Sequence, residues 1–82
     1  MIDVVYFAWV RERIGVPREQ VDTQAATVAD LVNELKAREE RYAFAFEDLR
    51  SLRVALDQEL MDFDAPLEGV REVAFFPPMT GG

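Results

Sequence analysis

Residues 27–35 read Thr-Val-Ala-Asp-Leu-Val-Asn-Glu-Leu, and in this stretch the apolar residues change to a helical spacing. They recur at i, i+3, i+4 and i+7, which places them on one stripe of a helix: Val28, Leu31, Val32 and Leu35. Thr27 and Asp30 fit a capping signature, with Asp at the third helical position in place of Glu or Gln. The pattern predicts a helix over residues 28–40 that packs its apolar stripe against the rest of the chain.

Strand-like segments lie on both sides of this helix. Residues 2–10 are rich in β-branched and aromatic side chains, which predicts a strand. Residues 11–17 predict a charged turn or one helical turn closed at Gly15, and residues 18–22 predict a second strand, which favours a hairpin. Four later segments are interpreted in order: 42–49 as a helical turn, 53–56 as a strand, 60–63 as a brief pairing or an extended link, and 70–76 as the last strand. This order predicts an α+β fold, with a small mixed sheet packed on one main helix and the first and last strands able to lie side by side in its centre.

The first and last strands each have a face that is expected to point away from the core. In the first strand the outward set carries the acid and three large apolar side chains: Asp3, Val5, Phe7 and Trp9. In the last strand Phe76 shares a face with Glu72 and Ala74, opposite Val73 and Phe75. The outward apolar side chains form a candidate docking face. The alternative, that another element of the same chain covers them, stays open.

The composition excludes several classes of function. The chain has 82 residues without Cys or His, which excludes disulfides, thiolate nucleophiles and the usual zinc sites. With one serine and one lysine, independent catalysis is not expected. The net charge of −7 disfavours nucleic acid and anionic membranes as partners, and no apolar run approaches the roughly 20 residues of a membrane span. We expect one cytoplasmic domain over residues 1–82.

Acidic residues are concentrated towards the C-terminus. Residues 57–82 carry six acids and one base, a balance that suits a basic partner. The densest run holds four carboxylates: Asp57, Glu59, Asp62 and Asp64. Because no spacing in this run supplies the glycine of a calcium loop, we interpret it as a solvated turn that contributes docking charge, and we predict no metal site.

The chain ends in Phe75-Phe76-Pro77-Pro78-Met79-Thr80-Gly81-Gly82. Proline cannot donate to a sheet ladder, so the strand should end at Phe76 and residues 77–82 should leave it as a tail, stiff at first and then flexible. Six residues at about 3.3 Å each could reach roughly 20 Å from the sheet. Gly81 and Gly82 would let the tail pass a narrow channel and bring its carboxylate close to a nucleotide. The tail therefore favours a carrier whose reactive group is the chain terminus, with a frayed end as the alternative.

The ending Val73–Gly82 closely resembles that of the small, sulfur-carrier subunits of molybdopterin synthase. The resemblance extends over nearly the whole chain, at Ile2–Ala8, Val10–Glu12, Thr27-Val28 and Asp62–Leu67. That family has the ubiquitin-like β-grasp fold. The chain departs from it at Leu56-Asp57, where members often have Val-Asn, and at Glu68–Glu72, where they have an acidic turn.

The resemblance implies a cycle of activation and sulfur transfer. An E1-like enzyme would use ATP to adenylate the Gly82 carboxylate, and sulfur would then give a C-terminal thiocarboxylate. The tail would insert into the large synthase subunit, where the sulfur passes to cyclic pyranopterin monophosphate. Gly81 would give access to the reacting atom. The resemblance further implies that the partner supplies the catalytic side chains, that no cofactor stays bound to this chain, and that two copies of each subunit form a heterotetramer.

Partner contacts can also be carried over from the family. Phe7, Leu60 and Phe76 match apolar positions that face both partners, and the remaining tail contacts would come from Pro77, Pro78, Met79 and Thr80. Three other functions use similar features: a ubiquitin-like modifier joined through Gly82 to lysines of other proteins, a sulfur carrier for thiazole synthesis, and a plain binding module.

Overall fold

The computed structural model describes residues 1–78, which form a mixed five-stranded sheet and three α-helices. In chain order the elements are β1 (Ile2–Tyr6), α1 (Ala8–Ile14), β2 (Arg18–Val21), α2 (Val28–Arg38), α3 (Glu40–Ala45), a single 3₁₀ turn (Leu49–Ser51), β3 (Arg53–Leu56), β4 (Glu59–Met61) and β5 (Glu72–Phe76). The predicted α+β class is confirmed. Among these helices, none is both long enough and apolar enough to span a membrane.

The sheet has the strand order β2-β1-β5-β3-β4. Strands β1 and β5 pair in parallel in its centre, with Val4 opposite Val73, and the other neighbours are antiparallel. The expectation that the first and last strands are adjacent is therefore confirmed. This pairing places the end of β1 beside the end of β5, from which the tail leaves.

One core lies between the sheet and the helices. The inward positions of β1, β3 and β5 alternate with outward ones, and Val4, Val54 and Phe75 are fully buried. The four stripe residues of α2 are buried against them. Helix α2 begins as predicted, because the Asp30 N–H donates to Thr27 Oγ1 at 3.2 Å. It ends at Arg38, two residues before the predicted end, because Glu39 has an extended backbone.

The prediction of a strand over residues 2–10 is wrong beyond Tyr6. Residues 8–14 form α1, whose buried side chains Val10 and Ile14 lie one helical turn apart, and Gly15 ends the helix at φ +99°. Trp9 therefore lies on a helix, partly buried against the core, and not on the outward face of a strand. Burial of the α1 stripe outweighs the strand propensity of these residues.

The predicted hairpin and the start of one strand also need correction. Strands β1 and β2 are antiparallel, but α1 joins them in place of a tight link. Strand β5 begins at Glu72 instead of residue 70. The open choice at residues 60–63 is decided for a short strand, because Leu60 pairs with Ala55 of β3. The helical turn predicted over 42–49 corresponds to α3 and the start of the 3₁₀ turn.

Candidate docking site at the root of the tail

A shallow apolar groove crosses the outer face of the sheet where β5 ends. The residues that line it are Phe7, Ala55, Gln58, Glu72, Ala74, Phe76 and Pro77. Phe7, Phe76 and Pro77 were predicted from sequence as contact residues, and the structure brings these three together. We call this surface the outer groove.

Phe7 reaches the outer groove because β1 and β5 remain in register to their ends. Its backbone is extended, and its N–H donates to the carbonyl of Phe75 at 3.1 Å. Ala8 then has φ +52°, a left-handed conformation that turns the chain from β1 into α1. The Phe7 side chain is left 49% exposed on the outer face.

Leu60 lies on the same face, one strand beyond the groove. A cross-strand row of outward positions joins it to the groove: Val5, Ala74, Ala55 and Leu60. The two alanines make a low floor, and Leu60 is 65% exposed at the end of the row. Leu60 does not line the groove itself, but it extends the apolar surface towards the edge strand β4.

Two residues line the groove that were not predicted from the sequence, Ala55 and Gln58. Ala55 could have been found from the alternation in β3, where Val54 and Leu56 are buried. Gln58 was harder to find, because it lies in the two-residue turn between β3 and β4 that the register of Leu56 with Glu59 defines. The remaining predicted site residues, Met79, Thr80, Gly81 and Gly82, lie outside the described residues.

The groove has carboxylates at the end away from the tail. Glu72 lines the groove, and Asp3 is its register partner on β1. Arg18 Nη2 lies 3.7 Å from Asp3 Oδ2. Asp57 lies in an exposed turn, as predicted, and it also accepts the N–H groups of Arg71 and Glu72 at 3.0 Å each, which orders the start of β5. Within residues 1–78, no three acidic side chains are grouped so that they could hold a metal ion.

A partly buried hydrogen-bonded cluster supports the end of β1 from the other side. Glu19 Oε2 accepts the hydroxyl protons of Tyr6 at 2.7 Å and Tyr42 at 2.6 Å. Arg41 Nη1 donates to the carbonyl of Ile14 at 2.8 Å, which joins α3 to the end of α1. Burial, reinforced by the Glu19 carboxylate, raises the pKa of Tyr42 to about 12 and raises the pKa of Tyr6 further above its ordinary value. The cluster joins β1, β2 and α3 next to Phe7.

The sequence of the chain matches the model of a known protein family. The family model described as the ThiS family matches residues 4–82. The chain belongs to the ThiS family. Its fold is the ubiquitin-like β-grasp, as the sequence resemblance implied.

Three curated relatives match this ThiS-family chain over almost its full length, and each is named molybdopterin synthase sulfur carrier subunit. The protein of Escherichia coli (strain K12) is 45% identical, and that of Haemophilus influenzae is 38% identical, with all of each chain covered. The protein of Mycobacterium tuberculosis is 32% identical, over 99% of this chain and 96% of its own. The resemblance found in the sequence is thereby confirmed.

Two solved structures are also similar. A putative molybdopterin converting factor, subunit 1, from Pyrococcus furiosus has a TM-score of 0.71 and 26% identity, over 95% of this chain and 97% of that one. SAMP1 from Haloferax volcanii has a TM-score of 0.73 and 24% identity, over 99% and 98%. At that identity, the likeness to SAMP1 concerns the fold alone.

Proposed function

We propose that this chain is the sulfur carrier subunit of a molybdopterin synthase and acts in the biosynthesis of the molybdenum cofactor. The observation that carries the proposal is the full-length identity of 45% with a protein of that name. The outer groove supports it, because an apolar surface at the root of a tail containing Gly81-Gly82 suits a chain that docks and threads its end into a partner.

The proposed chemistry takes place at the Gly82 carboxylate. A free carboxylate is a poor electrophile, so an E1-like enzyme first joins it to AMP from ATP and releases pyrophosphate. A sulfur nucleophile then attacks the acyl carbon, AMP leaves, and the product is a thiocarboxylate. Its sulfur passes to cyclic pyranopterin monophosphate in the large subunit, and an oxygen from water restores the carboxylate. Two carriers in turn supply the two sulfurs of the dithiolene.

The carrier's own contribution is docking and delivery. Phe7, Phe76 and Pro77 of the outer groove, with Leu60 beside them, would bind first the activating enzyme and then the large subunit. Pro78, Met79 and Thr80 would line the partner's channel, and Gly81 would leave room around the reacting carbon. The general acids and bases belong to the partners, which agrees with a chain that has no His and no Cys. We place the cycle in the cytoplasm and the carrier in a heterotetramer with the large subunit.

The test is the intact mass of the chain during one cycle. After incubation with ATP, a sulfur source and the activating enzyme, we expect a mass gain equal to the exchange of one oxygen for one sulfur at Gly82. Addition of the large subunit and pyranopterin substrate should reverse the gain as molybdopterin forms. A variant without Gly81 and Gly82 is the control and should show no gain.

Two results would contradict the proposal. One is a terminus that takes up no sulfur, and the other is a thiocarboxylate that the pterin system cannot discharge. Isopeptide conjugates of Gly82 on lysines of other proteins, without molybdopterin formation, would instead identify a protein modifier.

A further inference from the structure

The outer groove is charged differently at its two ends. Asp3 and Glu72 are register partners on the parallel central strands β1 and β5, and both occupy outward positions because Val4 and Val73 beside them are buried. At the other end, where the tail leaves β5, Phe76 is the register partner of Arg53. The outer face is therefore acidic at the start of β5, where Glu72 lines the groove and Asp3 lies beside it, and it carries the cation Arg53 next to the groove at the end of β5.

The acidic end is not explained by the stability of the chain. Like charges directly opposite each other on neighbouring strands are destabilising. The exposed Arg18 side chain approaches only Asp3, and at 3.7 Å, whereas Glu72 has no recorded ion pair or side-chain hydrogen bond within residues 1–78. The Asp57 carboxylate adds a third negative charge beside Glu72, and its recorded partners are backbone N–H groups. The negative charge at this end is therefore only partly compensated by the chain.

The apolar part of the groove cannot by itself fix how a partner is oriented. Hydrophobic attraction is non-directional, so a partner could cover Phe7 and Phe76 in several rotations about the sheet normal. Only one rotation aligns the partner's channel with the tail that follows Phe76. Charges of opposite sign across an interface favour one orientation and raise the rate of association.

We propose that Asp3 and Glu72 set the orientation of docking by pairing with Lys or Arg side chains on the partner. Phe76 is four positions after Glu72 along β5, so the partner's cationic side chains would lie roughly 13 Å from the point at which it accepts the tail. This inference rests on the proposed carrier function and adds to it the charge pattern of the partner surface. Since the activating enzyme and the large subunit must receive the same tail, both would present this pattern.

The test compares two double variants that remove the same charge. Asp3→Asn with Glu72→Gln removes the acidic end of the groove. The matched control, Glu12→Gln with Glu40→Gln, neutralises exposed carboxylates on α1 and α3, which pack against each other on the core side of the sheet. Association rate constants with each partner are measured by stopped-flow fluorescence at low and at high salt.

At low salt we expect the groove variant to associate with both partners about tenfold more slowly than the control does. Its association rate constant should also depend much less on the salt concentration than that of the control. Its thermal unfolding midpoint should stay close to that of the wild type, because removal of the like-charge pair offsets the loss of the exposed contact between Asp3 and Arg18. Equal rates and equal salt dependence for the two double variants would overturn the inference, and so would a slower rate accompanied by a lower midpoint. Failure of the wild type to bind either partner would refute the proposed function itself.

Discussion

The two tyrosines of the chain both donate to one carboxylate, and this arrangement has a measurable pH dependence. Tyr6 and Tyr42 are each 1% exposed, and Glu19 accepts both hydroxyl protons. Burial raises the pKa of both phenols in the folded state, to about 12 for Tyr42. The folded chain therefore keeps its phenolic protons at a pH where the unfolded chain, with a tyrosine pKa of about 10, loses them.

We predict that the free energy of unfolding is insensitive to these groups below about pH 10 and falls as the pH rises from about 10 towards 12. The sign follows because a pKa raised by folding stabilises the native state only while the group is protonated. Tyrosinate absorbance should appear together with the loss of circular dichroism, not before it. The Tyr42→Phe variant should show half the absorbance change. Full ionisation near pH 10 in a chain that remains folded would contradict the prediction.

At the residue scale, the outward side chains at the strand ends could be predicted from the sequence, but the hydrogen bonds between the tyrosine hydroxyls and the Glu19 carboxylate could not. Phe7 and Phe76 were placed outward correctly, because strand alternation depends only on local backbone geometry. The link from Tyr6 to Glu19 and Tyr42 joins residues far apart in the chain, and no local pattern marks it. Exposure of Phe7 could be predicted from the sequence, but the support of its strand could not.

At the element scale, the turn between β3 and β4 has a backbone conformation that lowers the stability of the fold and that a substitution could relieve. Asp57 and Gln58 both have positive φ, +50° and +72°, as a two-residue turn of this kind requires. Asp57 tolerates that conformation and also caps the start of β5, whereas glutamine is poorly suited to it.

We predict that Gln58→Gly raises the free energy of unfolding by about 0.5–1 kcal/mol, because glycine reaches positive φ without steric cost. Urea denaturation would measure it. The control is Gln20→Gly at an exposed position of β2, where strand pairing with Asp3 requires no positive φ, and there the same substitution should lower stability. A loss of stability in both variants would show that the turn does not strain Gln58.

The long apolar stripe of α2 made this helix predictable from the sequence, whereas the short apolar stripe of α1 did not. The α2 stripe has four buried apolar residues and a capping threonine, so its period was visible in the sequence. Helix α1 has only two buried residues, Val10 and Ile14, and it follows a strand without a break in hydrophobicity. Its first residue, Ala8, has a positive φ that alanine rarely adopts, so no local signal marked the change from strand to helix.

At the scale of the whole molecule, a substitution in the outer groove should weaken partner binding without unfolding the chain. We predict that Phe76→Arg weakens association with both the large subunit and the activating enzyme at least about tenfold, since aromatic side chains at the centre of an interface carry much of its energy. The chain should remain folded, because the Phe76 side chain lies on the outer face and the core beneath is formed by Phe75.

The matched control for this prediction is Phe44→Arg, which changes a phenylalanine that is 53% exposed on α3, outside the groove. Isothermal titration calorimetry with each partner gives the affinity, and circular dichroism reports the fold. If Phe76→Arg unfolds the chain without a separate defect in binding, the assignment of the groove is wrong. If Phe44→Arg weakens binding as much as Phe76→Arg, the docking surface includes α3.

The position of β5 between β1 and β3 also bears on how the protein is made. A chain is synthesised from its N-terminus, so β1 and β3 exist before the central strand that pairs with both of them. Until then β1 and β3, which contain Val4 and Val54, lack the central strand that pairs with both of them, so the five-stranded sheet cannot form. Synthesis must reach Phe76 before folding can finish, and a fragment cut within β5 is expected to be degraded by proteases before it can compete for partners.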